Sequence, residues 1–193
     1  LLAAGFSRRF GGIKLQAPLP DGNTILQRSF SNILQVTDNI IIVGREDLLS
    51  HGIYDFLPRQ SGVQLVMCDD AASGMAHSLV CAVKQIPNDW KSVLVCLGDM
   101  PFIQTDTLRA IIAASAESKI VIPVWQSQRG HPVSFGRDYF AELTASEGDT
   151  GGRHVIKKHK KNVQELQSTD QGILQDIDSP EALTLLIAGN ADI

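Results

Sequence analysis

Short apolar runs alternate along the chain with longer stretches in which apolar residues recur every three or four positions. Asn39-Ile-Ile-Ile-Val43, Val63-Gln-Leu-Val-Met67, Ser92-Val-Leu-Val-Cys-Leu97 and Lys119-Ile-Val-Ile-Pro123 have the length and β-branched content of strands. The first and third are almost continuously apolar, as expected of strands covered on both faces in a parallel sheet between helical layers. Helical periodicity predicts helices over about Ile25–Gln35, Met75–Gln85 and Thr105–Ala116. Ser73-Gly74 stands ahead of the second, and Thr105 or Asp106 is a cap for the third. Pro132-Val-Ser-Phe135 reads as an added strand and Arg137–Leu143 as a short helix. The predicted fold is α/β, a three-layer α/β/α arrangement on a doubly wound, mostly parallel sheet. Such sheets bind ligands beyond the carboxyl ends of their strands.

With 193 residues, 44% of them apolar, the chain has the size of one well-buried domain. A net charge of −4 and a pI near 5.7 give no reason to expect a nucleic-acid surface. The basic stretch Lys157-Lys-His-Lys-Lys161 reads as a solvated helix end whose cations complement the helix dipole, with an anion site as the other reading. Cys68, Cys81 and Cys96 match neither a zinc site nor a disulfide framework and are expected to be reduced core residues. No apolar run approaches the roughly 18 residues of a membrane span, and no leader pattern opens the chain, so the cytoplasm is the expected location. The absence of an initial Met, together with a start inside an apolar segment, leads to the expectation that a few residues precede Leu1.

The candidate chemistry lies at the predicted strand ends. Leu1-Leu2-Ala3-Ala4-Gly5-Phe6-Ser7-Arg8-Arg9-Phe10-Gly11-Gly12-Ile13-Lys14 passes from an apolar strand end into a glycine-rich, cationic loop. Gly5, Gly11 and Gly12 permit positive φ and close approach of backbone N–H groups to an anion. Ser7 adds a hydroxyl, and Arg9 and Lys14 add charge. The spacing is that of neither a P-loop nor a dinucleotide-binding G-x-G-x-x-G. Gly98-Asp99-Met100-Pro101 sets a carboxylate at the end of the 92–97 strand, where Asp99 would either bind a hard cation or cap the next helix. In Asp176-Ile177-Asp178-Ser179-Pro180-Glu181, Asp178 is a second candidate for the same ion. The stretch is also a good helix start, with Asp or Ser as cap and proline in the first turn.

The string L-A-A-G-x-S-x-R-x-G-x-x-K resembles the signature loop of the MobA-like nucleotidyltransferases, which transfer a nucleoside monophosphate from a nucleoside triphosphate to a phosphorylated acceptor. The resemblance implies a Rossmann-like nucleotidyltransferase domain over residues 1–193. Its nucleotide-binding half would span about residues 1–104 and its acceptor-binding half about residues 105–193. It further implies Mg²⁺ held by Asp99 and Asp178, with Lys14, Arg9 and Asp99 as the catalytic group. The nucleotide would be contacted by Leu2, Ala3, Ala4, Gly5, Ser7, Arg9, Gly11 and Lys14, and by a G-x-x-x-S segment matched here by Gly74, Met75 and Ser78. His77, a single histidine on a first helical turn, reads as solvated.

Ala-Ala-Gly is similar to the cytidylyl-transferring members of that family, and guanylyl transfer to molybdopterin more often goes with Ala-Gly-Gly. Arg129-Gly-His-Pro132 and Gly148-Asp-Thr-Gly-Gly-Arg153 resemble acceptor-side elements of the molybdopterin cytidylyltransferases, with His131, Asp149 and Arg153 as acceptor-binding residues. The second element also reads as a turn with Asp149 or Thr150 capping a helix. The resulting expectation is transfer of CMP from CTP to molybdenum-loaded molybdopterin, with a molybdenum hydroxylase as client of the product. The rivals are guanylyl transfer, cytidylyl transfer to a sugar or polyol phosphate, and a maturation factor that binds nucleotide or cofactor without catalysis.

Overall fold

The computed structural model describes residues 1–7, 9–59, 62–69, 74–146 and 151–189. In chain order these form α1 (Ile25–Leu34), β1 (Ile40–Gly44), α2 (Glu46–Leu49), β2 (Val63–Met67), α3 (Met75–Val83), β3 (Ser92–Val95) and α4 (Thr105–Ala114). Then follow β4 (Ile120–Trp125), β5 (Gln128–Arg129), β6 (Val133–Gly136), α5 (Phe140–Leu143), α6 (Arg153–Lys158), β7 (Val163–Gln167) and α7 (Pro180–Gly189).

The opening residues join two sheets into one. Leu2 bridges Val43 on one side and Leu97 on the other, both in parallel. Leu2 N donates to Cys96 O at 2.9 Å, Ala3 N to Val43 O at 2.8 Å, Val43 N to Leu1 O at 2.9 Å and Gly98 N to Leu2 O at 2.9 Å. The strand order is therefore β2, β1, opening segment, β3, β6, β4, β7, with β5 added beside the end of β4. Only β5 and β6 run against their neighbours, so the sheet is mostly parallel as the sequence predicts. The added strand at residues 133–136 is buried along its whole length between β3 and β4.

Alternation along β1 shows the three layers. Ile40 and Ile42 pack with Leu26, Phe30 and Leu108 of α1 and α4, whereas Ile41 and Val43 pack with Ala82 of α3. The predicted helices form over Ile25–Leu34, Met75–Val83 and Thr105–Ala114. A capping box starts α1: Thr24 Oγ1 accepts from Gln27 N at 3.3 Å, and Gln27 Oε1 accepts from Thr24 N at 2.8 Å. Residues Arg137–Leu143 divide into a 3₁₀ turn over Arg137–Tyr139 and α5.

Two expectations are corrected here. Neither Thr105 nor Asp106 caps α4. Buried Asp170 does so from a distance, its Oδ2 accepting from Gln104 N and Thr107 Oγ1, both at 2.8 Å, while its Oδ1 accepts from Gly172 N at 2.8 Å. Cys68 and Cys81 are also not reduced. They form a disulfide with Cα atoms 6.1 Å apart, because α3 folds back over the end of β2. Cys96 is a free core cysteine as expected, and burial pushes its thiol pKa up to about 11.

Gly136 lies where β6 passes the turn before β4, and its N donates to Lys119 O at 2.8 Å. A Cβ at this position would collide with the carbonyl oxygens of Ala116 and Glu117, which are backbone and cannot swing aside. Gly136→Ala is expected to cost about 1–3 kcal/mol of stability, read as a lower midpoint in urea denaturation.

Candidate active site

The sheet's topological switch point lies between the opening segment and β3, since the chain departs from the opening segment to β1 on one side and reaches β3 on the other. Two loops leave the sheet there, residues 4–14 and 98–101. The first is closed by its own hydrogen bonds: Phe10 N donates to Ser7 O at 3.0 Å, and Ser7 Oγ accepts from Lys14 N at 3.1 Å. Of the three glycines expected to use positive φ, only Gly11 does so, at +71°. A Cβ on Gly5, Gly11 or Gly12 would meet nothing within 4 Å, so the loop's outer face is open to a ligand. Ala3 and Ala4 are buried beneath it.

Arg45 supports this loop and was not singled out in the sequence, because it becomes a neighbour only when β1 pairs with the opening segment. Its guanidinium lies 3.7 Å from the centroid of the Phe6 ring and donates to Gly5 O at 3.1 Å, while Asp47 holds it through two 2.8 Å bonds. Gly5, Ser7, Gly12 and Arg45 border a shallow cavity of about 210 Å³.

Lys14 is the meeting point of the predicted catalytic residues. Its Nζ donates to Asp99 Oδ2 at 2.7 Å and to Asp178 Oδ1 at 3.3 Å, and Arg9 Nη1 lies 3.7 Å from Asp178 Oδ2. The sequence left both carboxylates with a capping alternative, and the structure decides each case. Gln104 takes the N-cap position of α4, and Asp99 faces Lys14. Ser179 Oγ accepts from Ala182 N at 3.2 Å at the start of α7, which leaves the Asp178 carboxylate to Lys14 and Arg9. Ile177 N donates to Asp99 O at 3.1 Å and fixes the two segments side by side.

Two carboxylates converging on one cation are a donor set suited to a hard divalent ion, with substrate phosphate and water as the remaining ligands. Among the described residues no group of three potential ligands forms a ready-made metal site. Asp176 adds to the negative field. Loss of hydration raises its pKa first, and the Asp178 and Asp99 carboxylates raise it further.

Beside this cluster opens a cavity of about 620 Å³. Leu2, Met75 and Val95 reach it from the predicted nucleotide half, and His131, Phe135 and Arg153 from the predicted acceptor half. His131 and Arg153 are thus brought together as expected. Asp149 lies outside the described residues. Met75 borders the cavity, whereas Ser78 sits on the buried side of α3 at 5% exposure. Gly74, with φ +113°, is the N-cap residue of α3, and its carbonyl oxygen accepts from His77 N at 3.2 Å. A further cavity of about 310 Å³, bordered by Ile40, Val93 and Cys96, shares Leu2 and Val95 with the larger one but is not lined by His131 or Arg153.

His131 occupies the boundary between cavity and carboxylates. Its backbone N donates to Ile173 O at 2.8 Å, and its Nδ1 is buried without a hydrogen-bond partner among the described residues. Burial lowers its pKa first; Asp99 and Asp176 oppose that and Arg153 adds to it. The imidazole is therefore neutral at neutral pH. As pH falls through about 6.5, the unfolded chain takes up this proton before the folded one, so this group's contribution makes stability decline until the lowered folded pKa is passed. His131→Gln is expected to flatten that part of the stability profile, measured as urea midpoints between about pH 7 and about pH 5.

The family model described as the MobA-like NTP transferase domain matches residues 1–163. Purine catabolism protein PucB of Bacillus subtilis is 30% identical over 189 residues, covering 93% of this chain and 90% of that protein. A protein of Methanosarcina mazei named probable molybdenum cofactor guanylyltransferase is 22% identical over 133 residues, covering 69% of this chain and 59% of its own length. The manganese complex of Rv0371C from Mycobacterium tuberculosis superposes with a TM-score of 0.79 at 25% identity, covering 97% of this chain and 95% of that one. The family match spans residues 1–163, which hold the glycine-rich loop, Lys14 and Asp99, and this chain belongs to the MobA-like NTP transferase family.

Proposed function

We propose that this protein transfers CMP from CTP to molybdenum-loaded molybdopterin, forming molybdopterin cytosine dinucleotide and pyrophosphate. The observation that carries the reading is the convergence of Lys14, Asp99 and Asp178 beside a cavity large enough for an acceptor. In the transfer, an oxygen of the acceptor phosphate bonds to the α-phosphorus of CTP, and the bond from that phosphorus to the bridging oxygen breaks to release pyrophosphate. Charge grows on phosphoryl oxygens, so positioning and electrostatic stabilisation are what the protein must supply.

Asp99 and Asp178 would hold Mg²⁺, which when bound neutralises phosphate charge and orients the reacting groups. Lys14 already sits between the two carboxylates, held at 2.7 Å by Asp99, and would turn its ammonium to the α-phosphoryl group. Arg9, with its side chain 81% exposed, is free to swing onto the triphosphate. Ser7, Gly5 and Gly11 shape the anion-facing loop, and Gly74, Met75 and Ser78 provide the segment beside the base. Neutral His131 and cationic Arg153 would receive the acceptor phosphate, with Asp149 as a further acceptor-binding residue. A molybdenum hydroxylase would use the product.

Ala3-Ala4-Gly5 supports CTP, and the similarity to the Methanosarcina protein named as a guanylyltransferase supports GTP as the second reading. Sugar or polyol phosphates fit less well a cavity floored by Val95, Ile122 and Phe135. A delivery protein without catalysis would have no use for two carboxylates trained on one lysine. Pyrophosphate release with each of the four nucleoside triphosphates and Mg²⁺, with and without molybdenum-loaded molybdopterin, tests the proposal. CTP-dependent release is expected only with the acceptor present. Preference for GTP would reverse the nucleotide assignment, and no release with any pair would remove the enzyme reading. Asp99→Asn is expected to lower turnover at least about a hundredfold while leaving the thermal midpoint near that of the wild type.

A further inference from the structure

The cavity beside His131 carries more positive charge than one transferable phosphate requires. Arg153, Ile156, Lys157 and Lys160 all border it. Their spacing of three and four residues sets them on one side of α6 and the turn that follows. The same basic tract divides its labour. Lys158 points away and pairs with Glu142 Oε2 at 3.0 Å, whereas Arg153, Lys157 and Lys160 have no carboxylate within salt-bridge distance among the described residues. Arg129, the other cation at the cavity, is already matched by Glu165 at 2.7 Å. Below these charges the floor is apolar, formed by Val95, Ile122, Val133 and Phe135.

A cationic rim with no carboxylate partner among the described residues, set over an apolar floor, fits a ligand with a flat or apolar body and an anionic edge. The His131 imidazole feels the fields of both Asp99 and Arg153, so it marks the end of the cavity where the transferable phosphate must react. Lys157 and Lys160 belong to the far end of the same helical stripe. We propose that Lys157 and Lys160 form a second anion subsite, which reads a negatively charged group of the acceptor other than the phosphate undergoing transfer. The assignment rests on the nucleotidyl-transfer reading for its biological ligand. The subsite sets acceptor specificity by favouring a ring-bodied acceptor with two separated anionic groups over a monophosphate with a hydroxyl-rich body. Molybdopterin carrying an anionic molybdenum–dithiolene group has that form.

Two measurements test the subsite. In pyrophosphate-release assays with molybdenum-loaded molybdopterin, Lys157→Gln/Lys160→Gln is expected to raise the acceptor KM about tenfold or more, the scale of losing one or two charge-assisted contacts. The KM for CTP and kcat should stay near wild type, as should all three parameters in Lys161→Gln, whose side chain does not border the cavity. Equal acceptor KM in the double variant and the wild type would overturn the subsite while leaving the transferase reading intact. Should the wild type release no pyrophosphate, the transferase reading fails, and the subsite is still decided by binding of 8-anilinonaphthalene-1-sulfonate, an aromatic body with one anionic edge. The wild type and Lys161→Gln are expected to bind the dye about tenfold more tightly than the double variant. Equal binding by all three, or none by the wild type, overturns the subsite.

Discussion

Everything functional in this molecule hangs on the insertion of Leu1–Ala3 between β1 and β3. Among the described residues, five hydrogen bonds between backbone atoms, three on the β1 side and two on the β3 side, hold that segment and convert a two-stranded unit and a five-stranded unit into one sheet. The insertion also creates the switch point, because the strands on either side are reached by connections that diverge. The glycine-rich loop and the Gly98–Pro101 turn emerge together only because their parent strands are adjacent. Buried Ala3 and Ala4 suit this role, since small side chains let the loop start close to the sheet on both faces.

A second constraint comes from the carboxyl-terminal side. Asp170 is 2% exposed, and a carboxyl group buried without partners is costly; its three hydrogen bonds from Gln104, Thr107 and Gly172 answer that need. In doing so it ties the 170s segment to the start of α4. From this anchor the chain reaches Ile177, which bonds to the backbone of Asp99, and then Asp178, which shares Lys14 with Asp99. A capping interaction and a catalytic arrangement are thus one piece of chain. In this cluster Lys14 compensates two carboxylates that would otherwise repel.

Much of this was legible in the residues. The strand runs at 39–43, 63–67 and 119–123 and the helical stretches fell within a few positions of their final limits, because continuous apolar runs and helical apolar stripes are both local signals. Lys14, Asp99 and Asp178 were recognisable from their motifs. Other features gave no local signal. Asp170 caps a helix 66 residues away in sequence, so the cap search near Thr105 found the wrong residues. Cys68 and Cys81 are separated by 13 positions, a spacing that becomes a bridge only when α3 folds onto β2. Arg45 follows a strand like many other arginines, and its place beneath Gly5 depends on which strand is its neighbour. The tract at 157–161 did show helical spacing, yet charge alone could not say which lysines face the cavity and which face Glu142.

The sequence by itself determined the layered α/β class and marked out the glycine-rich cationic loop and the candidate carboxylates, since these rest on periodicity, glycine placement and functional-group chemistry confined to short stretches. Tertiary structure alone decided which alternatives those stretches adopt. Asp99 and Asp178 became partners of Lys14 instead of helix caps, the added strand entered the middle of the sheet, and half of a basic tract became a cavity wall. The physical reason is that a side chain's capping, pairing and burial options are nearly equal in energy when taken locally. Contacts with residues far along the chain supply the difference that selects one.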